Sequence, residues 1–189
     1  MRRFLMRPAR VAMAAVLLAA MCTLFGEVGP GGPASAQTVD AVLVTVRIGN
    51  DGSFDRVVFE FRGDVAVQAT LGGPSANPGT IGFDPSDEPV AIAGAQLVTV
   101  RMTPATATGV VPPDPAYAGP TSFSPTDTLN VVQVVETGDF EAVLNWAIGL
   151  RTAATPTLHL LADPVRVVVD IPHPAATAAP VTQPATFTG

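Results

Sequence analysis

Residues 56–63 read Arg-Val-Val-Phe-Glu-Phe-Arg-Gly, and this alternation restricts the fold more than any other feature of the chain. Val57, Phe59 and Phe61 fall on one side of an extended backbone, and Arg56, Glu60 and Arg62 on the other. Successive strand side chains point to opposite faces, so the pattern describes a strand with one face buried and one wet. In residues 42–48, Val42, Val44, Val46 and Ile48 alternate against Thr45 and Arg47, and Asn50-Asp51-Gly52 supplies a hairpin turn between the two strands. Further strands are expected at residues 65–71, 90–93, 97–103, 130–136, 157–161 and 165–171, where β-branched residues dominate the apolar positions.

Residues 140–150 suit a helix in composition, but Phe140, Ala142, Leu144, Trp146, Ile148 and Leu150 alternate, and strand is the reading adopted. Thr137-Gly138-Asp139 is read as the turn before it, and Ala162-Asp163-Pro164 as a second tight turn. Two stretches are expected to be irregular: residues 72–89, full of Gly, Pro, Ser and Asp, and the proline-rich residues 105–125. Eight or nine short strands with no sustained helical period predict an all-β, two-layer β-sandwich.

Residues 1–36 have the layout of a cleavable secretory signal. Arg2, Arg3, Arg7 and Arg10 form its basic end, residues 11–25 its apolar middle, and Ala34-Ser35-Ala36 its small-residue exit. The apolar run is shorter than the roughly 20 residues a membrane span needs, so no span is expected. The single cysteine, Cys22, lies inside that run behind Met21, where a lipoprotein signal carries a small residue. It is expected to leave with the signal. Residues 37–173 then form the domain, and residues 174–189, rich in Pro, Ala and Thr, a disordered tail.

Past residue 36 the chain holds six arginines, no lysine and fifteen acids, a net charge of −9. Such a surface repels phosphate backbones and anionic lipid, so nucleic-acid and membrane-surface partners are disfavoured. Arginine in place of lysine, with abundant Ala, Gly, Pro and Val, is the composition of a GC-rich bacterial genome.

Catalytic groups are scarce. The exported part has no cysteine, two histidines and no Gly-x-Ser-x-Gly elbow. His159, between Leu158 and Leu160, reads as a solvent-facing strand residue, and His173 lies where the last strand ends. No His, Cys and carboxylate cluster has metal-ligand spacing, and Asp84, Asp87 and Glu88 lack the alternating oxygen ligands of a calcium loop. Asp139 and Glu141 are two acids on one side of a strand, whereas a glycosidase pair faces across the scissile bond. A non-enzymatic domain without metal or other cofactor is expected.

Binding needs less. Arg47, Arg56, Arg62, Arg101 and Arg166 each alternate with core-facing apolar positions, so they can gather on one sheet face. Guanidinium forks match carboxylates, although strand arginines also serve as cross-strand partners of residues such as Glu60 and Asp170. Trp146 and Tyr117 are the rings able to stack on sugars, with a core position the alternative for Trp146. Arg47, Arg56, Arg62, Arg166, Tyr117 and Trp146 are therefore the candidate ligand-binding residues.

Four runs also carry a family likeness: Phe54-Asp55-Arg56-Val57-Val58-Phe59-Glu60-Phe61, Tyr117-Ala118-Gly119-Pro120, Thr137-Gly138-Asp139-Phe140-Glu141 with Trp146 and Gly149 downstream, and Asp163-Pro164-Val165-Arg166-Val167-Val168-Val169-Asp170. In this order, across residues 42–173, they resemble the AMIN-like domain of secreted and lipid-anchored actinobacterial proteins. That family is distantly similar to AMIN domains, β-sandwich modules that localise amidases and secretin-type proteins at the cell envelope. The resemblance implies a β-sandwich outside the cytoplasm, associated with the wall, holding a cell-wall polymer such as peptidoglycan or another glycan and catalysing nothing itself. The lack of a well-placed lipidation cysteine argues against membrane tethering. The alternative is an accessory module docking on an envelope enzyme through residues 105–125 and an unpaired strand edge.

Overall fold

The computed structural model describes residues 41–108 and 117–175, and among them every regular element is a strand. The expected signal at residues 1–36, residues 109–116 of the proline-rich segment and the tail beyond residue 175 lie outside the described residues.

The first hairpin forms as its sequence dictates. β1 (Ala41–Asn50) and β2 (Phe54–Arg62) pair antiparallel, and at their turn Gly52 takes φ 73° while its N–H donates to Asn50 Oδ1 at 2.8 Å. A β-bulge between Leu43 and Thr45 adds one residue to β1. The extra residue reverses the alternation, so Leu43 points into the core and Val44 is exposed, contrary to the expected Val42, Val44, Val46 face.

β3 (Gln68–Ala76) begins later than expected and runs into the stretch read as loop, which also holds β4 (Thr80–Phe83) and β5 (Glu88–Ala91). β6 (Gln96–Thr103) follows, and β7 (Ala105–Thr106) and β8 (Ser122–Phe123) are two-residue strands at either end of the proline-rich segment. β9 (Val131–Phe140) does not stop at Thr137-Gly138-Asp139; it runs through them, and the turn falls at Glu141 and Ala142, with φ of 49° and 60°. A type I′ hairpin turn needs this left-handed conformation at both of its central residues. β10 (Val143–Leu150), β11 (Thr157–Leu161) and β12 (Arg166–Pro172) match the strand readings. Among the described residues twelve strands replace the eight or nine expected. The additions are short segments whose partners, not their own periodicity, make them strands.

The strands form one sheet in the order β11-β12-β2-β1-β7, a second in the order β3-β6-β10-β9-β8, and the separate β4-β5 hairpin. The two large sheets face each other across one core. Phe59 of the first meets Trp146 of the second at 5.5 Å between ring centroids, flanked by Val57, Phe61, Val98, Val100, Ile148 and Val167, all buried. This is the two-layer sandwich.

The outer faces of the sheets differ. On the second sheet the β4-β5 hairpin lays Ile81 and Val90, followed by Ile92, over Leu97, Val135 and Ala147. Gly149 permits this approach, since the Ala93 carbonyl occupies the place its Cβ would take, and Gly138 does the same beneath Asp84. Among the described residues, no hairpin covers the first sheet.

One acid of β2 points inward. Asp55 shares a face with Val57 and is fully buried, accepting backbone hydrogen bonds from Leu129, Asn130 and Val131 at 3.0, 2.6 and 2.8 Å. His173 Nε2 lies 3.1 Å from it on the other side. Burial alone would push this carboxyl up, but the N–H groups of Val131, Asn130 and Leu129, together with His173, hold it below the ordinary value. Asp55 thus ties the start of β9 and the end of β12 to β2.

Candidate functional site

The outer face of the first sheet, which no described hairpin covers, carries the charged residues. Strand register sets Asp170 opposite Arg56, Val168 opposite Val58 and Arg166 opposite Glu60, while Arg47 of β1 lies on the other side of Val58. Arg62 ends the same row of β2. Four arginines from three strands therefore share one surface: Arg47, Arg56, Arg62 and Arg166.

Their partners differ. Arg56 grips Asp170 with both arms, Nε and Nη2 donating at 2.7 and 2.8 Å, while Nη1 lies 3.5 Å from Asp51 and the guanidinium sits 4.8 Å above the Phe54 ring. The Asp170 hydrogen bonds, helped by the charges of Asp170 and Asp51, raise Arg56 above its usual value against the effect of burial. Arg47 donates across the strands to Glu60 at 2.8 Å and remains half exposed. His159 of β11 approaches Asp170 from the opposite side at 3.4 Å. Arg166 donates from Nε to the Pro164 carbonyl at 3.3 Å, and among the described residues it meets no carboxylate.

Depressions adjoin these arginines. A shallow one of about 260 Å³ lies between Arg47 and Arg56 above Val58. A larger cleft of about 690 Å³ opens between the turn after β2 and the β11-β12 turn, floored by Phe61, Val67 and Val165 and walled by Leu160 and Leu161. Arg62, Arg166, Asp64 and Asp163 complete its lining.

This arrangement sits on a chain whose residues 41–173 match the family model of the AMIN-like domain. The chain belongs to the AMIN-like domain family. No curated protein and no solved structure matches it. AMIN-like domains are generally related to the cell envelope, so this one is an envelope-associated module.

Not every candidate of the sequence reaches the arginine face of the AMIN-like domain. Trp146 has no exposed surface; its ring packs against Phe59, Tyr117 and Phe123, and its Nε1–H has no partner among the described residues. It is a core residue with no ring face to offer a sugar, because its alternation with Leu144 and Ile148 turns it inward. Tyr117 is half-buried beside it: its ring lies edge-on to Trp146 at 6.4 Å and its hydroxyl donates to the Pro120 carbonyl at 3.0 Å. Burial, and secondarily the charge of Glu136, raises its phenol above the ordinary value. Arg101 projects from β6, on the covered sheet, beside Asp84 and Asn145.

The acids weighed for chemistry have structural partners. Asp139 Oδ2 accepts from the hydroxyls of Thr106 and Thr108 and from the backbone N–H groups of Ala107 and Thr108, all within 3.2 Å, anchoring the segment after β7. Glu141 occupies the β9-β10 turn. Glu136 is half buried; burial first and the charge of Asp139 second push its carboxyl up. Asp55, the most enclosed acid, was legible only as a motif residue. Its signal is a carboxylate in phase with Val57, Phe59 and Phe61, on the side the alternation sends inward.

Proposed function

We propose that this AMIN-like domain is a secreted, non-catalytic module that binds cell-wall peptidoglycan through the outer face of its first sheet. The observation that supports the reading is the convergence of Arg47, Arg56, Arg62 and Arg166, in a chain with few basic residues, on a sheet face that no described hairpin covers. Peptidoglycan presents lactyl and peptide carboxylates at close intervals, and a rigid sheet holds guanidinium groups at fixed spacing to meet them. Rigidity matters because each immobilised flexible side chain costs affinity.

Purified peptidoglycan tests the proposal directly. The chain is expected to sediment with it, and Arg56→Ala or Arg166→Ala to reduce the bound fraction more than Arg151→Ala, which lies beyond the end of β10. Recovery of the wild-type chain entirely in the supernatant at low salt would refute the reading.

A further inference from the structure

We infer that the part of the wall this domain reads is its peptide and not its sugar, and that the cleft between the β2-β3 and β11-β12 connections takes a short peptide end bearing a free carboxylate and a nearby amine. The inference rests on the wall-binding proposal for the identity of the polymer, and on the cleft itself for the chemistry.

Sugar recognition uses exposed aromatic faces, and among the described residues the cleft offers none. Its one ring, Phe61, is 1% exposed, Trp146 is enclosed, Phe54 lies beneath Arg56, and the exposed Phe140 ends β9 on the other sheet. The larger cleft, in contrast, has the composition of a peptide site. Its volume of about 690 Å³ lies inside the range of small-molecule pockets. Phe61, Val67 and Val165 give it an apolar floor, and Leu160 and Leu161, 52% and 43% exposed, form a wall that water now covers. Burying such side chains against an apolar partner is favourable by about 25 cal/mol per Å².

The polar groups around this floor define the ligand more narrowly. Arg166 holds one local carbonyl through Nε, which leaves its terminal amino groups facing no carboxylate among the described residues. It can therefore accept an incoming carboxylate without first breaking an ion pair, unlike Arg56 with Asp170 or Arg47 with Glu60. Arg62 lines the same cleft and adds positive charge. Asp64 and Asp163 supply the opposite sign. A fatty acid would satisfy the arginines and floor but leave these aspartates facing its alkyl chain. A peptide with a carboxylate, an amine and small apolar side chains complements all three.

The test is a calorimetric titration of the purified chain with a synthetic wall stem tripeptide ending in a diamino acid, alongside its C-terminal amide and a wall disaccharide without peptide. The free acid is expected to bind at least tenfold more tightly than either. Arg166→Ala and Leu161→Asp are expected to weaken it tenfold or more, with Arg166→Lys intermediate and Arg101→Ala unchanged. Leu161 is exposed, so its substitution keeps a readout available should Arg166→Ala disturb the fold. Equal binding of acid and amide, preference for the disaccharide, or no binding of the tripeptide would overturn the inference. A chain that sediments with intact peptidoglycan while ignoring the tripeptide would overturn the cleft assignment and leave wall binding standing. One that binds the tripeptide but not the wall would do the reverse.

Discussion

Asp55 shows how a single carboxylate can hold together segments distant in sequence. Three backbone N–H groups of residues 129–131 converge on it, so Asp55→Ala leaves several buried donors unpaired and is expected to cost about 3 kcal/mol or more. Its folded-state pKa lies below the ordinary 3.8, so its stabilisation is complete above that value and is lost as pH falls through the folded value. Chemical denaturation across an acid series is expected to show Asp55→Asn well below the wild type at neutral pH, with the two converging as pH falls below 3.8 and through the folded-state value. Glu136 has the opposite sign. Its pKa is raised by burial and by Asp139, so the fold loses stability as pH rises from 4.5 through the folded value. Glu136→Gln is expected to raise the neutral-pH Tm by on the order of 2 °C, with no gain near pH 3. A Tm gain that persisted in acid would exclude ionisation as its cause.

The β4-β5 hairpin depends on glycines of other strands. A Cβ on Gly149 would collide with the Ala93 carbonyl, an obstacle of backbone that cannot rotate aside. Gly149→Ala is therefore expected to destabilise the domain by about 2 kcal/mol and to raise amide exchange across residues 80–93, while β1 and β2 keep their protection. Unchanged exchange in the hairpin would show that it is not held by this contact. Strands such as β2 and β10 were readable because each buries a whole face and repeats its pattern over eight or nine residues. β4, β7 and β8 were not, because two to four residues cannot establish a period, and their pairing comes from neighbours. The bulge at Val44 escaped for a related reason: a strict alternation hides one inserted residue.

Beyond residue 36 the chain has nine more acids than arginines, yet four of its six remaining arginines lie on one sheet face and beside the adjoining cleft. Glu60, Asp170, Asp64 and Asp163 are interleaved with them, so an incoming carboxylate is met there by individual guanidinium groups and not by a net positive field. Wall binding is thus expected to depend on salt. Raising ionic strength from about 0.1 M to 1 M shortens the Debye length from about 10 to about 3 Å, and the fraction sedimenting with peptidoglycan is expected to fall roughly threefold. Salt-independent binding would point to apolar contact as the main source of affinity.

The amino-acid sequence by itself determined the class of the fold, the first hairpin, the inward row of Val57, Phe59 and Phe61, and the outward placement of the arginines, because a strand's two-residue period assigns each side chain to a face. It could not determine which strands are neighbours, since hydrogen bonds between strands carry no sequence label. Tertiary structure alone brought Arg166 beside Arg62, opened the cleft between them, enclosed Trp146 in the core with Tyr117 packed edge-on against it, and closed residues 129–131 around Asp55. Those relations join residues far apart along the chain, and only sheet order and the packing of one layer on the other bring them into contact.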